Sequence, residues 1–316
     1  MNNKRLRHTI KDFFKHKLSN SFLYELFRKL CHPVFLIRYL MFMLFSDKPK
    51  VMNISETLDY IIKNKVSVAR YGDGEFKWMM NNNKNSFQDN SPELAQRLRK
   101  ILISDSEDII ICIPDVFKSV KQYVPYSADS WRFLIGEYGF KWLEFTDKNK
   151  VYYDANITRP YVDRVNKNDS LSYFKKLKEL WNNKNVILVE GDQTRFGVGN
   201  SLLENTKSVQ RIICPHNNAF ASYSEILKVT RQHSNIDDLI LIALGPTATV
   251  LAFDLSILGY QAIDIGHADV EYEWFKMHAQ TRIPIKGKYV NEIPSGRVIS
   301  DSHDETYINQ IITSIS

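Results

Sequence analysis

Two carboxylates stand one residue apart in Arg70-Tyr-Gly-Asp-Gly-Glu-Phe76, just after the short apolar run that begins at Val66. Gly72 and Gly74 bracket Asp73, and Glu75 follows directly. Glycines supply backbone angles that other residues resist, so the stretch reads as a tight turn at a strand end with little bulk around its acids. Acids so placed suit a divalent cation that also carries phosphate oxygens, because hard cations take carboxylate ligands and share them with substrate phosphates. The plain alternative is a glycine-rich surface turn with two solvated acids, since Asp-Gly is a common turn.

Other segments could handle an anion. Gly245-Pro246-Thr247 lies between an apolar run and a helical pattern. Proline in the first turn leaves free helix amides pointing outwards, where the helix dipole favours a diphosphate; the alternative is an ordinary turn capped by Thr247. Arg195 lies among Gly191, Gly197 and Gly199. An arginine fork matches phosphate oxygens and glycines let backbone approach them, whereas a lone arginine otherwise serves in a surface ion pair. No Gly-Lys-Ser/Thr follows, which excludes a Walker A loop. The Gly72/Gly74 turn is not a dinucleotide fingerprint either, lacking a third glycine and a helix starting in register. His216 and His267 each follow an apolar run, as candidate bases or ligands near neutral pH or as histidines satisfied by backbone. Glu271 and Glu273 cannot share a helical face, and Tyr272, Trp274 and Phe275 read as core rather than as a sugar platform.

The elements that must position these residues alternate from residue 53 onwards. Ser55 can cap a helix carrying Leu58, Ile61 and Ile62. Ser91-Pro92-Glu93 opens another, with Leu94, Leu98 and Ile101 on one face. Further helical patterns cover 131–145, 171–181, 219–229, 248–258 and 269–280. Apolar strands are expected at 66–69, 108–113, 151–153, 186–189, 209–214, 239–244 and 261–265, the last in the series. Continuous apolar strands alternating with helices indicate a parallel sheet covered on both faces. The polar, glycine-bearing segments nearly all follow strands. In an open parallel sheet, ligands bind beyond the carboxyl ends of the strands. Asp73, Glu75, Arg159, Glu190, Asp192, Arg195, His216, Asn217, Gly245, Thr247 and His267 should therefore converge on one edge.

Residues 1–50 stand apart. They hold 11 Lys/Arg and 3 Asp/Glu, a net +8, while the whole chain is +6, so the remainder is −2. Basicity confined to one appendage argues against a nucleic-acid-binding face across the fold. Ile10, Phe13, Phe14, Leu18, Phe22 and Leu26 recur at helical spacing; His32-Pro33 then breaks the pattern, and a second apolar run covers 34–45. That run is too short to span a bilayer, and no small-residue cleavage site follows. Two readings remain: a basic amphipathic anchor on the inner face of a cytoplasmic membrane, or a helical hairpin packing on the main domain or on a second copy. Asp47-Lys-Pro-Lys50 reads as a linker. The expected organisation is thus an appendage over 1–50 and a catalytic domain over 51–316. Cys31, Cys112 and Cys214 have no metal-ligand spacing and read as buried thiols in a reducing, cytoplasmic compartment.

From about residue 53 to 290 the chain resembles the GT-D-type glycosyltransferases, a bacterial family first known as a domain of unknown function and linked to glycosylation of serine-rich-repeat adhesins. The resemblance rests on five ordered blocks: Arg70 to Phe76; Thr158-Arg159-Pro160; Gly191 through Arg195-Phe-Gly197-Val-Gly-Asn200; Ala243-Leu-Gly245-Pro246-Thr247-Ala248; and Ala262 to His267 with Glu271 to Trp274. It implies a Rossmann-like α/β fold with a mostly parallel sheet and helices on both faces, to which residues 1–50 add a helical appendage. It implies a UDP-sugar donor, UDP-glucose favoured, with Asp73 and Glu75 as an Asp-X-Glu motif holding Mn²⁺ or Mg²⁺. Arg70, Gly72, Arg159, Arg195, Gly197, Asn200, Gly245, Pro246 and Thr247 are then the expected nucleotide-sugar contacts. His267 is the first candidate base for the acceptor hydroxyl, with Asp73 or Glu75 next. The loop 190–195 and Ser201 depart from the family pattern, which bears on the donor. The acceptor on this reading is a glycan, glycoprotein or lipid-linked sugar. A phosphohydrolase using the same metal site and a non-catalytic scaffold of a glycan assembly complex are the alternatives.

Overall fold

The computed structural model describes residues 22–82, 87–290, 292–297, 299 and 302–316. In chain order the elements are α1 (Phe22–Phe45), β1 (Lys50–Val51), α2 (Ile54–Asn64), β2 (Ser67–Arg70), α3 (Asp73–Met79), α4 (Pro92–Leu102), β3 (Ile109–Ile113), α5 (Pro125–Leu143), β4 (Val151–Asp154) and α6 (Ser170–Leu180). There follow β5 (Asn185–Gly191), β6 (Ser208–Cys214), α7 (Tyr223–His233), β7 (Leu239–Ala243), α8 (Pro246–Ile257), β8 (Gln261–Asp264), α9 (Ala268–Lys276), α10 (Glu305–Gln310) and β9 (Ile311–Ser314). Among the described residues the strands form one nine-stranded sheet in the order β1-β4-β3-β2-β8-β7-β5-β6-β9. Every pairing is parallel.

The continuous apolar strands are buried on both faces, as a doubly covered parallel sheet requires. Successive residues of β3 and β7 divide between two cores. Ile109, Ile111, Ile113, Ile240 and Ile242 join one; Ile110, Cys112, Leu239 and Leu241 join the other. Trp274 and Tyr272 lie in the second core, as expected of them. Cys112 and Cys214 are buried free thiols.

Strand order reverses next to β2. The chain steps outward from β2 through β3 to β4, then crosses to β5 and returns by β7 to β8, which pairs with β2. A crevice opens beyond the carboxyl ends at such a reversal. The Asp73 turn leaves β2 and the Gly266-His267 turn leaves β8, so both border that crevice.

Several sequence expectations are corrected. The cap of α2 is Asn53, not Ser55: Asn53 accepts from the Glu56 amide and the Glu56 carboxylate accepts from the Asn53 amide, a reciprocal capping box. Helix α5 begins at Pro125 rather than at 131, because proline starts a helix as readily as it breaks one. A further strand, β9, follows the expected last one and pairs with β6. Pro33 does not break the amino-terminal segment, since α1 runs through it as one helix, so the helical hairpin is not formed there. The tertiary reason is the packing of its second half on α5, where Phe35, Tyr39 and Phe42 are buried and the Phe35 and Phe133 rings lie 4.6 Å apart. Of the first apolar face, Ile10 to Leu18 lies outside the described residues. No described helix is long and apolar enough to cross a membrane.

Candidate active site

The carboxyl ends of the strands enclose a cavity of about 540 Å³. Its lining takes residues from the ends of β2, β3, β4, β5, β6, β7 and β8, and from the first turns of α5. The convergence expected from the order of polar segments is present for Asp73, Glu75, Arg159, His216, Gly245 and His267, whereas Glu190, Asp192, Arg195, Asn217 and Thr247 do not line the cavity.

The acidic turn is the start of a helix, which corrects the reading of Gly72 to Glu75 as a simple turn with no helix in register. Gly72 is the cap of α3, Asp73 its first residue and Glu75 its third. The Glu75 carboxylate accepts from the Gly72 amide at 2.7 Å, so it shapes the turn while facing the cavity. Loss of hydration pushes its carboxyl up to about 7; the Gly72 amide and Arg70 pull the other way, and buried Asp264 adds to the rise. Asp73 is 44% exposed and pairs with Lys77 at 2.6 Å, one helical turn on. Each carboxylate keeps an oxygen clear of these partners. Among the described residues no three His, Cys, Asp or Glu side chains gather into a metal cage. Asp73 and Glu75 both line the cavity, so one oxygen of each is available to a hard cation that takes its other ligands from a diphosphate and water, as Mg²⁺ does.

Beside it, Arg70 braces β2 against its neighbours. Its guanidinium donates to the carbonyls of Asp264 and Ala155, each at 3.1 Å, and approaches the Asp264 carboxylate at 3.4 Å. Gly266 makes room for it: the backbone there has φ +47°, and a Cβ would come within 1.8 Å of an Arg70 nitrogen. Arg159, Glu292 and His267 form a second knot. The Arg159 guanidinium donates to Glu292, and His267 Nε2 stands 3.8 Å from the same carboxylate. Burial would lower Arg159 and raise Glu292, but their mutual attraction outweighs it and holds both charged. The α9 residue Glu271 fixes this region from below by accepting from the Tyr161 and Val162 amides at 3.0 Å.

His267 sits at the cap of α9. Burial pushes its imidazole down to about 4, Arg159, Arg70 and Arg282 add to the fall, and Glu292 opposes it. An uncharged imidazole at neutral pH can donate or accept a hydrogen bond, yet it is a weak proton acceptor compared with a group near 7. The His267 Cε1 proton resonance should therefore titrate with a midpoint near 4 and stay flat from pH 6 to 8. Because the unfolded chain takes up this proton at an ordinary histidine value, His267 removes stability as pH falls from about 6.5 towards 4. A midpoint near 6.5 in the folded protein would contradict this placement.

The expected contacts divide in two. Arg70, Gly72, Asp73, Glu75, Arg159, Gly245 and His267 line the cavity together. Arg195, Gly197, Asn200, Pro246 and Thr247 are not in its wall. Arg195 is buried and donates to the Gly287 carbonyl at 3.2 Å. Gly197 turns the loop at φ +75° against Leu203. Asn200 donates to Asp269 and Glu273 and so orients acids of α9. Pro246 and Thr247 are buried in the first turn of α8, whose cap is Gly245 without any side-chain cap bond, so Thr247 is not the cap. Glu190 is likewise internal, paired with Arg211 across β5 and β6. His216 does line the cavity and bonds Asp192 at 2.6 Å.

Residues without a sequence signal complete the wall. Lys77, Asn156, Asp163, Arg282 and Glu292 face the cavity. Arg282 and Glu292 come from the segment after α9, which has no periodicity to betray it, and Lys77 belongs to a helix hidden behind two glycines. On the β3–β4 side, Tyr126, Ser127, Ser130, Trp131 and Leu134 of α5 present an uncharged wall of rings and hydroxyls. Its polar edge is the chain Ser127 to Asp163 at 2.8 Å and Asp163 to Arg282 at 2.7 Å.

Comparison with known proteins meets the same elements. A family profile described as "Glycosyltransferase GT-D fold" matches residues 68–293. The chain is 38% identical over 267 residues to the "Probable glycosyl transferase Gly" of Streptococcus gordonii, covering 84% of this chain and 39% of that protein. It is 37% identical over 270 residues to "Glycosyltransferase GlyD" of Streptococcus pneumoniae serotype 4, covering 85% of this chain and 33% of that one. The chain therefore spans between a third and two fifths of these relatives. A solved structure described as the domain of unknown function 1792 with a distinct glycosyltransferase fold superposes with a TM-score of 0.82 at 38% identity, covering 88% of this chain and all of that one. A second, "A New Glycosyltransferase (DUF1792) from Streptococcus sanguinis", gives 0.79 at 36% identity, over 85% of this chain and all of that one.

Proposed function

The chain belongs to the GT-D-fold glycosyltransferases, and from that premise we propose that it moves a hexose, glucose favoured, from a UDP-sugar to a hydroxyl of a glycan or glycoconjugate. The observation that carries the reading is the acidic turn of α3 at the strand-order reversal, facing a cavity walled by helix α5 on one side and the β7, β5 and β6 ends on the other. Asp73 and Glu75 are the residues that would hold Mn²⁺ or Mg²⁺, and such an ion, when bound, neutralises charge on the leaving diphosphate. Lys77, which pairs with Asp73 and lines the cavity, and the positive end of the α8 dipole at Gly245 are the protein's own contribution to that charge. Arg70 and Arg159 are tied to carboxylates, so they hold the shape of the site and lend it partial positive charge. His267, uncharged, serves the donor as a hydrogen-bonding group. The acceptor proton passes instead to a carboxylate of the α3 turn, on an oxygen that Asp73 or Glu75 does not give to the ion.

The first experiment is a thermal-shift screen of UDP, GDP, CMP and their sugars, each with and without Mn²⁺. A ligand that binds the folded state raises the melting point by mass action, with no acceptor required. A shift with a UDP-sugar that needs Mn²⁺ supports the donor half; equal indifference to all nucleotides would remove it.

The α5 wall is assigned to the acceptor. Tyr126 is 73% exposed and Trp131 is partly buried, both on the cavity wall, and a pyranose stacks its C–H face on such rings while Ser130 offers a hydroxyl. Trp131→Ala should raise the KM for aryl or alkyl hexoside acceptors about tenfold or more and leave the KM for the donor within a factor of two. A loss of UDP affinity instead would make this wall the seat of the uracil.

A further inference from the structure

Helix α1 has two apolar faces, and the fold uses one. Phe35, Tyr39 and Phe42 point into the body against α5. On the opposite side Val34, Ile37, Leu40, Met41, Leu44 and Phe45 are between 50% and 79% exposed. At 100° per residue these six fall within an arc of about 140°, centred away from the docked face. No other described helix exposes more than two large apolar side chains. Arg38, the charged residue nearest the arc, turns aside to the Glu137 carbonyl. A contiguous exposed patch of this kind marks an interaction surface.

We propose that this face of α1 lies on an anionic lipid bilayer, seated at the headgroup boundary. The argument for lipid is charge. The patch belongs to a 50-residue segment with 11 basic and 3 acidic residues, in a chain that is otherwise −2. A second copy would bring the same +8 against itself, and that charge repels; an anionic surface attracts it, and apolar burial then adds to the binding. The sequence expectation of a basic amphipathic anchor thereby moves from the face made by Ile10 to Leu26 to the outer face of 34–45. The proposal does not depend on donor or acceptor.

The test is sedimentation of the full chain with vesicles of phosphatidylcholine containing about 30% phosphatidylglycerol, against phosphatidylcholine alone. Binding to the anionic vesicles is expected, weakened by salt. The double variant Ile37→Glu/Leu44→Glu should lower the partition coefficient at least tenfold while the melting temperature stays that of the parent, because both side chains are in solvent. Leu40→Ser/Phe45→Ser, which adds no charge, should lower it in the same direction. Failure of the parent to pellet overturns the proposal. So does pelleting unchanged in both variants, which would leave the basic residues alone as the cause. A concentration-dependent dimer in light scattering that both variants abolish would assign the face to a second copy and also overturns it.

Discussion

Asp73→Asn is expected to lower transfer by two to three orders of magnitude while leaving the melting temperature within a degree or two of the parent. The two halves of this expectation come from different observations. In the folded chain Asp73 is 44% exposed and its one described partner is Lys77, four residues on in the same helix. Such a pair contributes under ~0.5 kcal/mol, so asparagine costs the fold little. In the site, the same substitution removes half of the charge that a divalent ion would bind, and electrostatic groups aimed at developing charge each contribute about a hundred- to a thousandfold in rate. The Mn²⁺-dependent part of the thermal shift with a UDP-sugar should vanish with it. Glu75→Gln is the companion control: glutamine can still accept from the Gly72 amide and preserve the cap of α3, so its loss of activity would report charge rather than shape. Transfer within threefold of the parent in Asp73→Asn would remove the acidic turn from the mechanism.

The site was legible in the sequence where a residue type and its place in the chain carried the same message. Asp73, Glu75, Arg70, Arg159, Gly245 and His267 each follow an apolar run, and a parallel sheet takes all such positions to one edge. The same logic failed for Arg195 and Asn200. Their glycine-rich loop suggested phosphate, but the glycines serve turns, Arg195 is spent on the Gly287 carbonyl, and Asn200 is spent on Asp269 and Glu273. Sequence spacing tells which loop a side chain is on and not which way it faces. His267 shows a second limit. It does line the cavity, but burial, aided by three arginines gathered from distant segments, pushes its imidazole down, and only the fold brings these together. Helix α3 was hidden because Gly72 and Gly74 read as turn residues, although the Glu75 bond back to Gly72 is a helix-start signal once seen in place.

Gly136→Val is expected to be the most destabilising single change outside the site, lowering stability by about 3 kcal/mol or more. At the crossing of α1 and α5 a Cβ on Gly136 would lie 2.1 Å from the Phe35 carbonyl oxygen and 2.8 Å from its carbon. Carbon contacts settle near 3.5 Å, so any side chain forces the two backbones apart, and the atom met is main chain that cannot rotate away. One turn on, a Cβ at Gly139 would come 3.0 Å from the Phe42 ring, so the whole seam has no slack. Separation exposes Phe35, Tyr39 and Phe42. Its effect does not stop at α1. Phe42 lies 6.4 Å from Phe117, Phe117 lies 6.1 Å from Phe76, and Phe76 stacks at 4.8 Å on Trp142 of α5. Phe76 is three residues after Asp73, so the seam between α1 and α5 reaches the floor of the acidic turn through packed rings. Denaturant unfolding of Gly136→Val should show the lower midpoint, and limited proteolysis should cut first within 46–50, where α1 joins β1. The vesicle-facing side chains are untouched by this change, so anionic-vesicle binding should persist while nucleotide-dependent thermal shifts weaken. An unfolding midpoint equal to the parent's would mean that α1 is not held on α5 in solution, and the ring pathway from α1 to Asp73 would have no role.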